Sequence, residues 1–269
     1  MRNSTKIIIL AVLAIICILL YGFYDIKGGF DYAFPKRMIR VGAMVVTGFA
    51  IAYSTVVFQT ITRNRILTPS VMGLDSMYEV VQTFIFFFAG SLSIWVLNKY
   101  LNFGLSIAAM ILFALLLYRV LFRADKYPIY LMLVIGMILG TLLGSFVSFL
   151  QVLIYPVEYL SLQAKLFASF SNVNADLLYI SIGILAIAFL YGFRIMGKLD
   201  VMSLGRENAI NLGINYDRMV MNILILSSIL IATSTALVGP ITFLGLIVAN
   251  LSYQYLSTYK HSLLILGAG

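Results

Sequence analysis

The stretch "KLDVMSLGRENAINLGINYDRM", Lys198–Met219, separates two apolar runs at residues 177–196 and 219–238. Each run matches the ~18–20 residues a helix needs to cross a hydrocarbon core. Between them, residues 194–218 hold Arg194, Lys198, Asp200, Arg206, Glu207, Asp217 and Arg218, seven of the chain's 28 charged residues (18 basic and 10 acidic). An apolar run, a polar island and a second apolar run make a helical pair joined through an aqueous segment.

That pattern recurs from end to end. The chain is 62% hydrophobic and 10% charged with mean hydropathy +1.03, whereas soluble domains carry roughly 25% charged residues. The period-two alternation of a membrane barrel is absent. The fold class is therefore all-α, a polytopic helical membrane protein. The length ruler places eight spans, near residues 7–24, 41–61, 78–97, 103–122, 129–154, 177–196, 219–238 and 241–257. A ninth apolar run starts at Leu263 and stops at Gly269, too short to cross, so the chain reads as truncated or as ending in an unusual way. The opening "MRNSTKIIILAVLAIICILLYG" lacks a small-x-small cleavage site and reads as an uncleaved first span, with Cys17 packed toward lipid.

A net charge of +8 would suggest nucleic acid in a soluble protein; here the basic residues sit in short loops, where topology explains them. With the N-terminus inside, twelve basic residues lie in cytoplasmic segments and six outside, which puts the island in the cytoplasm. Of the six, Lys27, Lys36, Arg37 and Arg40 crowd into one short outer segment. Their chemistry fits either headgroup anchoring by snorkelling or docking of an acidic partner, with anchoring ahead.

No catalytic constellation stands out. His261, the only histidine, sits beside Lys260 at a loop edge and reads as solvated; no Cys/His ligand spacing and no P-loop appear. The chain is expected to bind no metal and to hydrolyse no nucleotide. Asp75 and Glu79 share a helix face, where water or Arg63 and Arg65 could satisfy them, or where they could relay an ion. Gly136, Gly140, Gly144 and Ser148 form a small-residue stripe, read first as helix packing and second as a smooth wall for a bulky solute. In "VGPITF", Gly239 and Pro240 break the chain, as a structural turn or as a re-entrant half-helix beside a pathway. Within the island, Gly205 and Gly213 are placed to end two short helices, roughly 200–204 and 206–212. The pairs Val201/Leu204 and Ala209/Leu212 give each an apolar face, either lying at the membrane interface or fitting a partner's groove.

Three ordered motifs carry a resemblance. "LGRENAINLGI", with Leu204, Gly205, Ala209, Leu212 and Gly213, is similar to the LG-x-x-x-A-x-x-LG coupling segment of permeases of iron-siderophore, haem and vitamin B12 ABC importers (FecCD-like). "GPITFLGLIVANL" resembles that family's GPIxFxGLIVPHL segment. Arg37, Arg40, Gln59 and Asn64 fall at the spacing of its RLPR and Q-x-x-x-x-N-P-L elements. Two departures, Ala249-Asn250 for Pro-His and Asn64-Arg65-Ile66 for Asn-Pro-Leu, look like a subgroup handling ferric siderophores.

The resemblance implies a type II ABC importer architecture with ten spans, of which about eight are complete here. It implies one permease domain over residues 1–269, in a bacterial cell membrane, with 198–218 as the segment that couples to an ATPase subunit. Leu204, Gly205, Arg206, Glu207, Ala209, Leu212 and Gly213 would form that contact. Arg37 and Arg40 would dock an extracytoplasmic binding protein, which puts docking ahead of headgroup anchoring. Gln59, Asn64, Gly136, Gly140, Gly144 and Ser148 would lie along the path. A second permease, homologous or identical, completes the path; ATP and Mg would reside on the ATPase, and this chain would hold no cofactor. The alternatives are a haem or cobalamin importer of the same family, or an ion-driven carrier using Asp75 and Glu79.

Overall fold

The computed structural model describes residues 3–24, 29–122 and 129–269, and every regular element among them is helical. In chain order these are α1 (Asn3–Phe23), α2 (Phe30–Thr62), a short 3-10 turn η1 (Pro69–Met72), α3 (Leu74–Ala89), α4 (Ile94–Leu97) and α5 (Lys99–Phe122). Then follow α6 (Ile129–Leu153), α7 (Pro156–Leu166), α8 (Ala175–Met202), α9 (Arg206–Asn211), α10 (Tyr216–Val238), α11 (Leu244–Leu256) and α12 (His261–Ala268). Six of them, α1, α2, α5, α6, α8 and α10, contain a stretch long and apolar enough to cross a membrane.

Two helices make the spine. The apolar windows of α2 and α10 are 61% and 67% buried, against 6% for α1, so α1 lies on the outside of the bundle. In α2 every residue from Ala50 to Ile61 is buried, so neighbours enclose this stretch on all sides. Several buried hydroxyls of both helices turn back on their own backbone: Thr47 to Ala43 O (2.6 Å), Thr60 to Val56 O (2.9 Å), Ser228 to Leu224 O (2.8 Å) and Ser234 to Leu230 O (2.8 Å). This satisfies a polar group where water is excluded, without needing a second helix. Glycines let neighbours approach the spine. A Cβ at Gly245 of α11 would collide with Thr55, and one at Gly192 of α8 with the Tyr53 ring.

The eight expected spans need four corrections. The run at 78–97 is not one helix: α3 ends at Ala89, Gly90 takes φ 75°, and α4 follows separately. The run at 241–257 folds as the 13-residue α11. The basic segment before the second span is no loop, because α2 already starts at Phe30 and carries Lys36, Arg37 and Arg40 on its first turns; Lys27 lies outside the described residues. Finally, α7 was not anticipated; Pro156 at its first turn starts it, with Glu158 accepting from the Ser91 N–H (2.6 Å) and hydroxyl (3.0 Å).

Candidate functional site

The polar island folds as an extension of α8 followed by one tight peg. The expected helix at 200–204 does not exist by itself: α8 is capped at its start by Asn174, whose Oδ1 accepts from Asp176 N (3.0 Å), and runs unbroken to Met202. Gly205 then takes φ 106° and ψ 165°, a backbone region that essentially only glycine occupies. Helix α9 closes with a full Schellman motif, Gly213 N to Ile210 O (2.9 Å) and Ile214 N to Ala209 O (3.0 Å), with Gly213 at φ 83°. Asn215 caps the next helix by accepting from Arg218 N (3.1 Å). Gly213 thus ends a short helix as expected, whereas Gly205 does not close a helix of its own but starts α9 as its N-cap, past the end of α8 at Met202.

The peg divides its apolar residues unevenly. Ala209 is fully buried against the body, while Leu204, Ile210 and Leu212 are exposed beside Arg206 and Glu207. Arg206 faces Asp217 at 3.4 Å, but both side chains are more than 60% exposed, so this pair adds little. A six-residue helix does not persist alone in water; what holds it is the burial of Ala209 in the core, the glycine-closed backbone and the Arg63 guanidinium laid over Gly205.

The end of α2 forms the wall behind the peg. Arg63 caps α2 in the left-handed region (φ 52°). Gln59, buried, donates to Arg65 O (2.8 Å), Asn250 donates to the same oxygen (3.0 Å), and Asn64 Oδ1 accepts from Ile66 N (2.9 Å). Gln59, Asn64 and Asn250 therefore hold one turn, with Arg65 stacked 4.6 Å over the Tyr253 ring. Nothing in the local pattern pointed to Asn250; only its departure from the Pro-His motif marked it.

His261 is the largest correction. It is 2% exposed, not solvated: Nδ1 lies 2.5 Å from Asp200 Oδ1 and Nε2 lies 2.7 Å from the Thr60 hydroxyl. Asp75 differs from expectation too. It is buried away from Arg63 and Arg65, accepting from the hydroxyls of Thr235 (3.2 Å) and Thr242 (3.1 Å). These threonines flank the Gly239-Pro240 break, so the carboxylate ties both sides of that turn. Gly239 has φ 94° and ψ 170°, and a Cβ there would sit 2.9 Å from the Ala168 Cα.

Along the small-residue stripe the contacts change. A Cβ at Gly136 would lie 3.2 Å from the Met72 side chain, and one at Gly140 would lie 3.1 Å from the Gly73 Cα; at Gly144 nothing comes within 4 Å, and Ser148 bonds its own helix at Gly144 O (3.0 Å). On the first turns of α2, Arg37 donates to the carbonyls of Tyr21 in α1 (2.7 Å) and of Tyr24 just past its end (2.6 Å), and with Arg40 it lines a cavity of about 650 Å³. Both arginines are partly buried. Lys165, in the last turn of α7, lies over the Phe86 ring, and burial lowers its ammonium pKa below the ordinary lysine value. Among the described residues no group of three His, Cys, Asp or Glu is placed to hold a metal.

The profile of the FecCD transport family matches residues 23–269. The petrobactin import system permease protein YclO of Bacillus subtilis is 52% identical over 268 residues, spanning 100% of this chain and 85% of that protein. The petrobactin import system permease protein FatC of Bacillus anthracis is 37% identical over 226 residues, 84% of this chain and 64% of its own length. Among solved structures, a metal-chelate type ABC transporter in an inward-facing conformation superposes with TM-score 0.81 at 25% identity, covering 99% of this chain and 87% of that one. The family profile and a half-identical relative over the whole chain agree with the three motifs, and the chain belongs to the FecCD transport family.

Proposed function

We propose that this chain is the permease subunit of an ATP-driven importer for ferric-siderophore complexes in a bacterial cell membrane, with its N-terminus in the cytoplasm. It pairs with a second permease to line the path, takes cargo from an extracytoplasmic binding protein, and receives the stroke of an ATPase subunit that carries ATP and Mg. The petrobactin import permeases among its relatives support the cargo class. The observation that carries the coupling role is the peg: a segment too short to stand alone, locked by two glycines, presenting Leu204, Ile210 and Leu212 to solvent. Exposed apolar side chains on a rigid support suit a complementary groove better than lipid, because Arg206 and Glu207 of opposite sign flank them.

Leu212→Asp places a charge in that contact while leaving the buried face of the peg intact. The expected result is a normally inserted complex that hydrolyses ATP with uptake reduced more than about tenfold, the size of losing one buried apolar anchor. Normal uptake would remove the coupling assignment. Cargo is read by labelled-iron uptake with a panel of chelators in a deletion strain; ferric siderophore transport supports the proposal, and transport of haem or cobalamin instead overturns it.

Two further results are expected. Asp75→Asn and Glu79→Gln each keep most of the uptake, because Asp75 is engaged as an acceptor for Thr235 and Thr242, and an amide oxygen can take over part of that role. Abolished uptake with an intact ATPase complex would favour an ion-driven carrier. Arg37→Glu with Arg40→Glu weakens capture of the binding protein, more so at low salt, where charge–charge attraction across the interface is least screened. Arg40→Glu alone separates docking from the α1 contacts that Arg37 also makes; unchanged capture by that variant and by the pair would refute the assignment.

A further inference from the structure

His261, Asp200 and Thr60 come from three different helices and 61 to 201 residues apart in the chain, yet they make one continuous hydrogen-bonded line. Asp200 sits in the last turn of α8, five residues before the Gly205 pivot. Its Oδ1 accepts the His261 backbone N–H, the first of α12, at 3.0 Å, and faces the ring Nδ1 at 2.5 Å. A carboxylate at a helix start complements the unpaired N–H groups and the positive end of the dipole there. From the other side of the ring, Nε2 reaches Thr60 of the spine helix α2 at 2.7 Å. The line borders an open cavity of about 710 Å³ whose wall includes Arg63, Arg65, Leu204 and Lys260. Beside this hollow, the Arg63 guanidinium over Gly205 is the other polar tie between the peg and α2, added to the buried packing of Leu199 and Met202 at the end of α8.

We infer that Asp200–His261–Thr60 is a brace that fixes the base of the peg to α2 and α12, so that a push on the peg moves the spine instead of bending the end of α8. Asp200 and His261 are positioning residues for coupling; neither touches cargo or nucleotide. This rests on the coupling reading of residues 204–213.

The test uses the full importer, with its ATPase and binding protein, in liposomes, and reads ATP hydrolysed per labelled ferric siderophore moved. His261→Ala is expected to lower uptake about tenfold while hydrolysis by the assembled complex continues, since a hydrogen bond to a charged group is lost. His261→Asn, which keeps a donor near the Nδ1 position, recovers part of the ratio; a purely space-filling role would not distinguish the two. Asp200→Ala combined with His261→Ala is expected to be no worse than either alone, because both cut the same line. Additive losses, or a wild-type ratio in His261→Ala while Leu212→Asp is uncoupled, overturn the brace and leave the coupling reading standing. Normal transport by Leu212→Asp overturns that reading and the brace with it. If His261→Ala fails to assemble, Thr60→Val removes only the hydroxyl at the far end of the line, and a wild-type ratio there overturns the proposal.

Discussion

Gly205→Ala is expected to abolish coupled uptake, cutting it well beyond tenfold, while leaving the membrane helices in place. Two costs combine. The backbone at φ 106° and ψ 165° lies where L residues carry strain of about 1–3 kcal/mol. The added Cβ would also displace the Arg63 guanidinium, the far end of a long side chain that folds over this position from the end of α2, at smaller cost. The chain can escape the strain only by rotating the peptide that sets the direction of α9, and that swings Leu204, Ile210 and Leu212 away from any groove they fit. Arg63→Ala in the same chain relieves the collision and not the backbone strain, so it is expected to restore little. Measured together, full rescue by Arg63→Ala would assign the effect to crowding alone; wild-type uptake in Gly205→Ala would show that the orientation of the peg is immaterial. Gly213→Ala offers a milder comparison. Its φ of 83° is strained for alanine, but no atom lies within 4 Å of the added carbon.

The order and nature of the helices were legible because hydropathy and length are local properties. So was the helix end at Gly213, which depends on its own backbone angles; Gly205 is a second glycine at positive φ, but it starts α9 and ends no helix at 200–204. What escaped the sequence was of two kinds. The break at Gly90 lies inside an apolar run, "FIFFFAGSLSIWVL", where a length ruler counts residues and does not register a single glycine at φ 75°. The other kind is pairing at long range. His261 looked solvated because its sequence neighbours are Lys260 and Ser262; its partners Asp200 and Thr60 are 61 and 201 residues away. Asp75 had arginines ten and twelve residues before it and was matched to them, yet Thr235 and Thr242, 160 and 167 residues further on, are what it meets. In a low-dielectric interior a buried polar group is costly without a partner, but which partner it finds is decided by how the helices pack.

The small-residue stripe of α6 shows the same limit within one helix, and it yields the largest expected effect on stability. Gly136, Gly140 and Gly144 share one four-residue spacing, but the structure divides them. At Gly140 the α6 backbone meets the backbone of Gly73, itself at φ 89°, with the virtual Cβ atoms of the two glycines 3.0–3.1 Å from the opposing Cα. Backbone against backbone has no rotamer to yield, so Gly140→Ala is expected to destabilise the subunit by about 1–3 kcal/mol, the usual cost of overpacking, and Gly140→Leu to prevent folding. Displacing η1 would also disturb the start of α3, and with it Asp75 and the turn at Gly239. At Gly144 the same change meets nothing within 4 Å, and alanine is a better helix residue by about 1 kcal/mol, so Gly144→Ala is expected to be neutral or stabilising in the isolated subunit. Thermal unfolding of the purified chain in detergent separates the two. Equal midpoints for Gly140→Ala and Gly144→Ala would show that the seam with Gly73 is not closed, whereas a Gly144→Ala variant that is stable alone but assembles poorly would place that position against a partner.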